Sequence, residues 1–279
     1  MVTGASRGAG RGIAVALGAH GCTVYVTGRS EKADDATLPG TIHETAAAVT
    51  AAGGRGIAVR VDHADDAQVA ALFEQVAREQ GRLDILVNNA CSLNDALTAP
   101  GHFWEKPLEI ADMLDVGLRS SYVASYYAAP IMTWQKSGLI VFTSASGAVH
   151  YVFGPAYGAH KAGMDKFAAD MAVDLRDFGV AACSIWMGTL LTDRLKMVIA
   201  SDPAKYAHLE QSSETPEFTG HVIWALFEDT DRMAMSGLTL IGAELATRYG
   251  IIDQNGRRPT SYRDTHKVEP RIQYPLIVR

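Results

Sequence analysis

Cysteine is scarce in this chain: Cys22, Cys91 and Cys183 are the only three. Their odd number and wide spacing, with no Cys-x-x-Cys pair, support neither a disulfide framework nor a zinc knuckle, and they point to a reducing, cytoplasmic setting. No apolar run reaches the roughly 18 to 20 residues that span a bilayer, and the first residues lack the basic-then-apolar pattern of a signal peptide, so no membrane partner is expected. Basic residues are in deficit, 25 against 31 acidic, for a net charge of −6. Without a clustered basic surface, nucleic acid is not an expected partner. The nine histidines show no His-Glu-x-x-His or similar cluster, so no metal is expected. Repeats at solenoid periods are also missing.

What is present is ordinary globular material: 279 residues, 48% hydrophobic and 20% charged. A chain of this mass buries about 70% of its unfolded surface, enough for a large core without staples. Short runs rich in Val, Ile and Leu recur at Cys22–Thr27, Ile57–Val61, Leu83–Val87, Leu139–Thr143, Val180–Trp186 and Leu238–Ile241, each followed by a segment of helical period. That alternation predicts an α/β fold, a Rossmann-type doubly wound parallel sheet of about seven strands with helices on both faces. Residues 1–279 are expected to form a single domain. Thr41 and Glu44 make a capping box opening a helix through Ala52 that closes at Gly53-Gly54, and Asp65 to Gln80 ends in the same way at Gly81. Periodicity fails over Asn94–Pro107, over residues 189–214, expected as a substrate-side lid, and in the tail 250–279. Only Met1 and Val2 precede the loop at Thr3, although a central strand needs about five residues, so the start of the first strand is expected to be missing.

Thr3 to Gly10 reads TGASRGAG, with Gly4, Gly8 and Gly10 at a strand-to-helix turn. Glycines there let backbone approach a pyrophosphate whose charge is met by the amides of the following helix, with Ser6, Arg7 and Ala9 beside it. The acidic partner for a ribose 2′-hydroxyl should fall about 20 residues on, after the second strand. That place holds Thr27-Gly28-Arg29-Ser30, and Arg29 suits a 2′-phosphate instead, with Arg7 as a second guanidinium. NADP(H) is therefore expected over NAD(H). The alternative keeps both arginines as solvated surface residues and lets Glu31 serve NAD.

Tyr157 and Lys161 are four residues apart at the start of a helical pattern running to Phe178, which puts both on one face. There the ammonium is expected to lower the phenol pKa, making Tyr157 a general acid or base near neutrality. Ser144 closes the run Leu139–Thr143, where its hydroxyl could meet a substrate carbonyl. A Tyr/Lys pair alone is commonly plain helix surface; the glycine loop and Ser144 give it meaning.

TGASRGAG, Asn88-Asn89-Ala90, Ser144 thirteen residues before Tyr157, and Tyr157 with Lys161, in this order from Val2 to about Ile241, resemble the short-chain dehydrogenase/reductase family in its single-domain branch. Phe103-Trp104-Glu105, Asp115 to Arg119 and Leu245 to Gly250 further resemble a subgroup typified by dehydrogenase/reductase member 1, NADP(H)-linked carbonyl reductases or alcohol dehydrogenases with bulky apolar substrates. The resemblance implies that Tyr157 donates the proton, Ser144 polarises the carbonyl, and Lys161 holds the nicotinamide ribose and tunes Tyr157. It also implies that Asp62 and His63 meet adenine, Asn89 and Ala90 lie beside ribose, and Thr192 meets the carboxamide. For Asp62 a simple helix-cap role stays open. A homo-oligomer is implied, a tetramer or else a dimer, through the helices near Trp104–Trp134 and Tyr157–Phe178.

Three positions depart from the family pattern: Cys91 replaces a glycine, Met187 a proline, and Gly117 an asparagine that interrupts a helix and helps hold a water linking Lys161 to solvent. Cys91 reads as a small packing residue. Met187 is expected to line the nicotinamide pocket. Glycine costs about 1 kcal/mol in a helix interior, so Gly117 fits a local bulge whose freed carbonyl could still hold the water. Restoring Asn at 117 would then change turnover by less than about tenfold. His102, Phe103, Trp104, His150, Tyr151, Phe153, Trp186, Met187 and Tyr206 are expected around an apolar pocket for a bulky carbonyl or alcohol substrate. Two rival readings are a non-catalytic NADP(H) sensor of the same fold and a double-bond reductase. Intact Ser144, Tyr157 and Lys161 oppose the first, and the four-residue Tyr-to-Lys spacing opposes the second.

Overall fold

A computed structural model describes residues 1–35 and 37–278, with all their side chains except that of Asn255. The glycine loop leads into α1 (Gly8–Ala19), followed by β1 (Thr23–Gly28), α2 (Ile42–Ala51), β2 (Arg55–Arg60), α3 (Asp66–Gln80) and β3 (Ile85–Asn88). Next come α4 (Ser120–Gln135), β4 (Gly138–Ser144), α5 (Pro155–Leu175) and β5 (Val180–Trp186). The chain continues through α6 (Asp193–Ser201), α7 (Pro203–Tyr206), α8 (His208–Ser212), α9 (Phe218–Glu228), β6 (Thr239–Ile241), α10 (Gly242–Tyr249) and α11 (Tyr262–Thr265).

Six parallel strands fall into a pair, β1-β2, and a quartet, β3-β4-β5-β6. Val2 joins them, bridging Val26 on one side and Val87 on the other. Its amide donates to the Tyr25 carbonyl and its carbonyl accepts from Thr27, while Thr3 donates to Val87. The seventh position of the sheet is thus held by the single bridging residue Val2 rather than a full strand. Every residue of β4 and β5 is buried, as expected for strands covered on both faces. Ile13, Leu17, Ile42, Val49, Phe218 and Val222 cover one face from α1, α2 and α9. Val69, Phe73, Val123, Ala124, Met164 and Ala168 cover the other from α3, α4 and α5.

The helix boundaries follow from their caps. Thr41 and Glu44 form both bonds of the capping box. Asp65 accepts from the Ala67 and Gln68 amides, and Gly81 closes α3 at φ 66°. The segment expected to lack periodicity over 189–214 contains α6, α7 and α8, helices too short for a repeating apolar face to register; its base is closed by a bridge from Leu190 to Glu214. The tail likewise carries α11.

The bulge expected at Gly117 is present. Leu114–Arg119 forms a wide helical turn with non-helical Val116 (φ −93°, ψ 89°) and Gly117 (φ 155°, ψ −77°). Its carbonyls are nevertheless occupied: Val116 accepts from the Ser92 amide at 2.7 Å and Gly117 from the Ser121 hydroxyl. A Cβ at 117 would stand 3.1 Å from Nε2 of His160. An Asn at 117 would be strained, since φ 155° disfavours an L side chain and its Cβ would crowd the imidazole.

Candidate active site

The carboxyl ends of β1, β3, β4 and β5 open into one cleft of about 1180 Å³. This is the edge of an open α/β sheet where ligands are expected. Its walls include Gly4, Ser6, Arg7, Gly8, Ala9, Gly10, Arg29, Asp62, His63, Asn89, Ala90, Ser144, Tyr157, Lys161 and Thr192, so every residue expected to be catalytic or to meet a cofactor lines one space.

The floor is built by close approach. Gly4 has φ 62°, and a Cβ on it would lie 2.6 Å from the Cα of Ala90, so the glycine loop can press against the segment after β3 only without a side chain. Asn89 locks that approach, its Nδ2 donating to the carbonyls of Thr3 (2.9 Å) and Gly4 (3.1 Å). The hydroxyl of Thr3 accepts from the amides of Asn89 and Ala90. The first turn of α1 carries no acidic residue and presents its amides to the cleft.

The end of the cleft beside β1 and β2 is basic. Arg7 donates to the Ser30 hydroxyl at 2.9 Å and to the Gly40 carbonyl at 2.7 Å, and burial, then Arg194 and Arg29, lowers its pKa. Arg194 is a third guanidinium on this wall, paired with Asp95, that the sequence reading did not single out. Glu31 lines the same cleft and lies 3.5 Å from Arg60 and 3.7 Å from His43. Asp62 pairs with Arg29 at 3.8 Å and accepts from the Ala64 amide; it caps that turn, whereas the cap of α3 is Asp65. His63 is 4% exposed and its Nε2 lies 2.8 Å from the Thr27 hydroxyl. Thr192 caps α6 by accepting from the Leu195 amide.

Tyr157 and Lys161 stand one turn apart near the start of α5, whose entry is set by Gly154 and Pro155. Nζ of Lys161 donates to the Thr143 carbonyl at 3.1 Å and lies 5.6 Å from the centre of the Tyr157 ring. The expectation that Lys161 lowers the phenol pKa is opposed here by burial. Burial pushes Tyr157 up, with Tyr262 and Cys91 adding to it. The ammonium is itself buried and pushed down. At an effective dielectric near 20 a pair 4 Å apart gains about 4 kcal/mol, while each buried charge loses several kcal/mol of hydration. The phenol is therefore held protonated. Ser144 is fully buried at the cleft wall, its hydroxyl donating to the Lys161 carbonyl at 3.3 Å.

Several residues here escaped the sequence reading. Asp165, one turn beyond Lys161, accepts from Ser184 (2.8 Å) and Trp186 Nε1 (2.9 Å), pinning α5 to β5. Buried Glu214, pushed up to about 7 by burial, accepts from the Gly188 amide. Tyr262 and His266 come from the tail onto the cleft, and Tyr262 donates to the Met187 carbonyl at 3.0 Å. Of the expected substrate contacts, His150, Phe153 and Met187 line the cleft. The others do not: Phe103 (61%) and Trp104 (66%) stack on the surface with His102, Tyr151 is exposed, Tyr206 faces Lys205, and Trp186 is core.

A family profile described as short chain dehydrogenase matches residues 1–202, and the chain belongs to the short-chain dehydrogenase/reductase family, an oxidoreductase family that uses a nicotinamide cofactor. Within it, the chain is 40% identical over 273 residues to human Dehydrogenase/reductase SDR family member 1, covering 94% of this chain and 85% of that protein, and it falls in the same subgroup. It is 30% identical over 226 residues to a 3-oxoacyl-[acyl-carrier-protein] reductase of Synechocystis, covering 80% of this chain and 86% of that one. A putative dehydrogenase from Xanthomonas campestris superposes with a TM-score of 0.77 at 29% identity, covering 92% of this chain and 91% of that one.

His63 supplies a prediction independent of turnover. Burial pushes it down to about 4 from 6.5, so between those pH values the unfolded chain binds more protons and stability falls as pH falls. Its contribution is complete above pH 6.5 and declines by up to about 1.4 kcal/mol per unit towards pH 4. Urea unfolding at pH 7, 5.5 and 4.5 should show a shallower loss for His63→Gln; equal slopes would contradict it.

Proposed function

We propose that the protein is an NADP(H)-dependent carbonyl reductase or alcohol dehydrogenase of the cytoplasm, acting on a bulky, largely apolar ketone or aldehyde. The observation that carries this reading is the convergence of Ser144, Tyr157 and Lys161 on one wall of the cleft whose opposite wall is the glycine loop. The residues present suit a dinucleotide carrying a 2′-phosphate. Positive-φ glycines and the α1 amides face the pyrophosphate place, Arg7, Arg29 and Arg194 outnumber the Glu31 carboxylate beside the phosphate place, and Glu31 also contacts Arg60 and His43. When bound, the nicotinamide supplies or accepts the hydride.

The chain's own residues do the rest. The Ser144 hydroxyl turns from the Lys161 carbonyl to the substrate oxygen and polarises it. Tyr157 gives its phenolic proton to the oxygen as the alkoxide forms: the phenol O–H bond breaks and the alcohol O–H bond forms. Lys161, anchored on Thr143, orients the ribose and returns a proton to the phenolate. A phenol held protonated by burial suits the reductive direction, and oxidation requires the phenolate. Phe153, Met187, Leu93 and Leu190 supply apolar surface, while His150, Tyr262 and His266 give the substrate end polar contacts. Residues 189–214 act as a lid on that side.

The first test follows loss of reduced nicotinamide with a panel of ketones, quinones and aldehydes. Tyr157→Phe should lower turnover by about 10²- to 10⁴-fold with nearly unchanged NADPH binding, and retained activity would sink the mechanism. In the wild type the oxidative rate should climb with pH through the alkaline range, because the phenol is raised, while the reductive rate stays level.

Arg29→Asp should weaken NADPH more than NADH, since a carboxylate repels a 2′-phosphate yet accepts bonds from ribose hydroxyls. Equal losses in a binding titration would show that Arg29 does not read the phosphate.

Tyr122 (51%), Tyr126 (63%) and Trp134 (87%) leave the outer surface of α4 aromatic and exposed, which suits burial against a second copy. Sedimentation should show a tetramer or dimer at micromolar concentration; a monomer would refute the assembly.

A further inference from the structure

His160 sits immediately before Lys161 on α5 and is 1% exposed. Its Nε2 has no hydrogen-bond partner among the described residues. Leaving a buried ring nitrogen unpaired costs about 1–3 kcal/mol, so such an atom in a stable fold has a partner, and internal water is the ordinary one. The imidazole is held by two unusual neighbours. Gly117 offers it an open flank, where any Cβ would stand 3.1 Å from Nε2 and 3.2 Å from Cε1. Cys91, a cleft-lining residue, places Sγ 3.8 Å from Nδ1. The histidine stays neutral, because burial and then the Lys161 charge push it down to about 2. One residue further on, the Lys161 ammonium has three protons and the Thr143 carbonyl takes one of them. The unpaired ring nitrogen thus belongs to the residue next to a buried cation, near enough that the Lys161 charge depresses the imidazole.

We propose that His160 is a positioning residue for the proton step: its Nε2 holds an internal water beside the Gly117 kink, and that water replenishes Lys161. This rests on the roles given above to Tyr157 and Lys161. After Tyr157 has given its proton to the alkoxide, the phenolate takes one from the Lys161 ammonium. The resulting amine takes one from the water, and the water regains it from solvent. No electrons move in these steps. The imidazole fills from α5 the space that Gly117 leaves empty, and the Gly117 and Val116 carbonyls, already bonded to Ser121 and Ser92, are relieved of holding the water alone.

The test compares His160→Phe, which fills the volume without a nitrogen, with His160→Gln, which keeps a polar atom at similar reach. His160→Phe should lower kcat by about tenfold or more and enlarge the solvent deuterium isotope effect, with NADPH affinity changed by less than about threefold. His160→Gln should stay within about threefold of wild type on both measures. Equal losses in both variants would mark His160 as packing only and overturn the proposal, as would a His160→Phe protein with wild-type kcat. Should His160→Phe fail to fold, the wild-type crystal structure decides: ordered water on Nε2 is expected, and a dry Nε2 overturns the proposal. Failure of the catalytic reading itself is distinguishable, because it appears as full activity in Tyr157→Phe whatever the water shows.

Discussion

The backbone bonds of Met1, Val2 and Thr3 are the constraint on which the site depends. Val2 donates to Tyr25 and accepts from Thr27, while Val87 donates to Met1 and Thr3 donates to Val87. Those bonds turn a pair and a quartet of strands into one sheet with a shared carboxyl edge. Their geometry also explains why the loop is stitched so tightly to Asn89 and Ala90: the chain passes from bridge to loop at Thr3, whose hydroxyl serves both amides of the neighbouring strand end.

A second dependence runs through burial. The site places a phenol and an ammonium close together yet withdraws both from water, so each is shifted towards its neutral form and neither gains much from the other. Asp165 follows the same rule, pushed up by burial although Trp186 and Ser184 donate to it. A pocket of this kind favours proton donation over proton abstraction until something charged enters it, and the place left for that charge is beside Lys161.

Much of this was legible in the chain because it is local. Val180–Trp186 is a continuous apolar run and is β5 to the residue. The caps of α2 and α3 are written in side chains three residues apart. Thr3 to Gly10 announces its turn through its glycines, and the spacing of Tyr157 and Lys161 announces a helix face. What was not legible is what depends on distant pairing. Phe103 and Trp104 look like pocket residues by type but face solvent. Tyr262 reaches the cleft only because its hydroxyl meets Met187, seventy-five residues away in sequence, and α11, which carries it, is one turn long, too short to show a period. Asp165 had a usable signal, a carboxylate one turn after Lys161 on a helix face otherwise facing β5.

Gly117 shows how an apparent defect can be supported by its surroundings. A glycine at φ 155° breaks the helical ladder, and its orphaned groups are taken up by hydroxyls of the next turn: its amide donates to Ser120, and Ser121 donates to its carbonyl. Ser125 donates in turn to the Ser121 carbonyl and accepts from Nδ2 of Asn88, which lies at the end of β3. A continuous line of bonds therefore runs from the strand that carries Asn89 and Ala90 to the kink that makes room for His160. Because every polar group in that line but the Asn88 side-chain amide oxygen and the His160 nitrogen is satisfied, the kink is a defined conformation rather than a frayed helix, and its shape is set by the same strand end that locks the glycine loop.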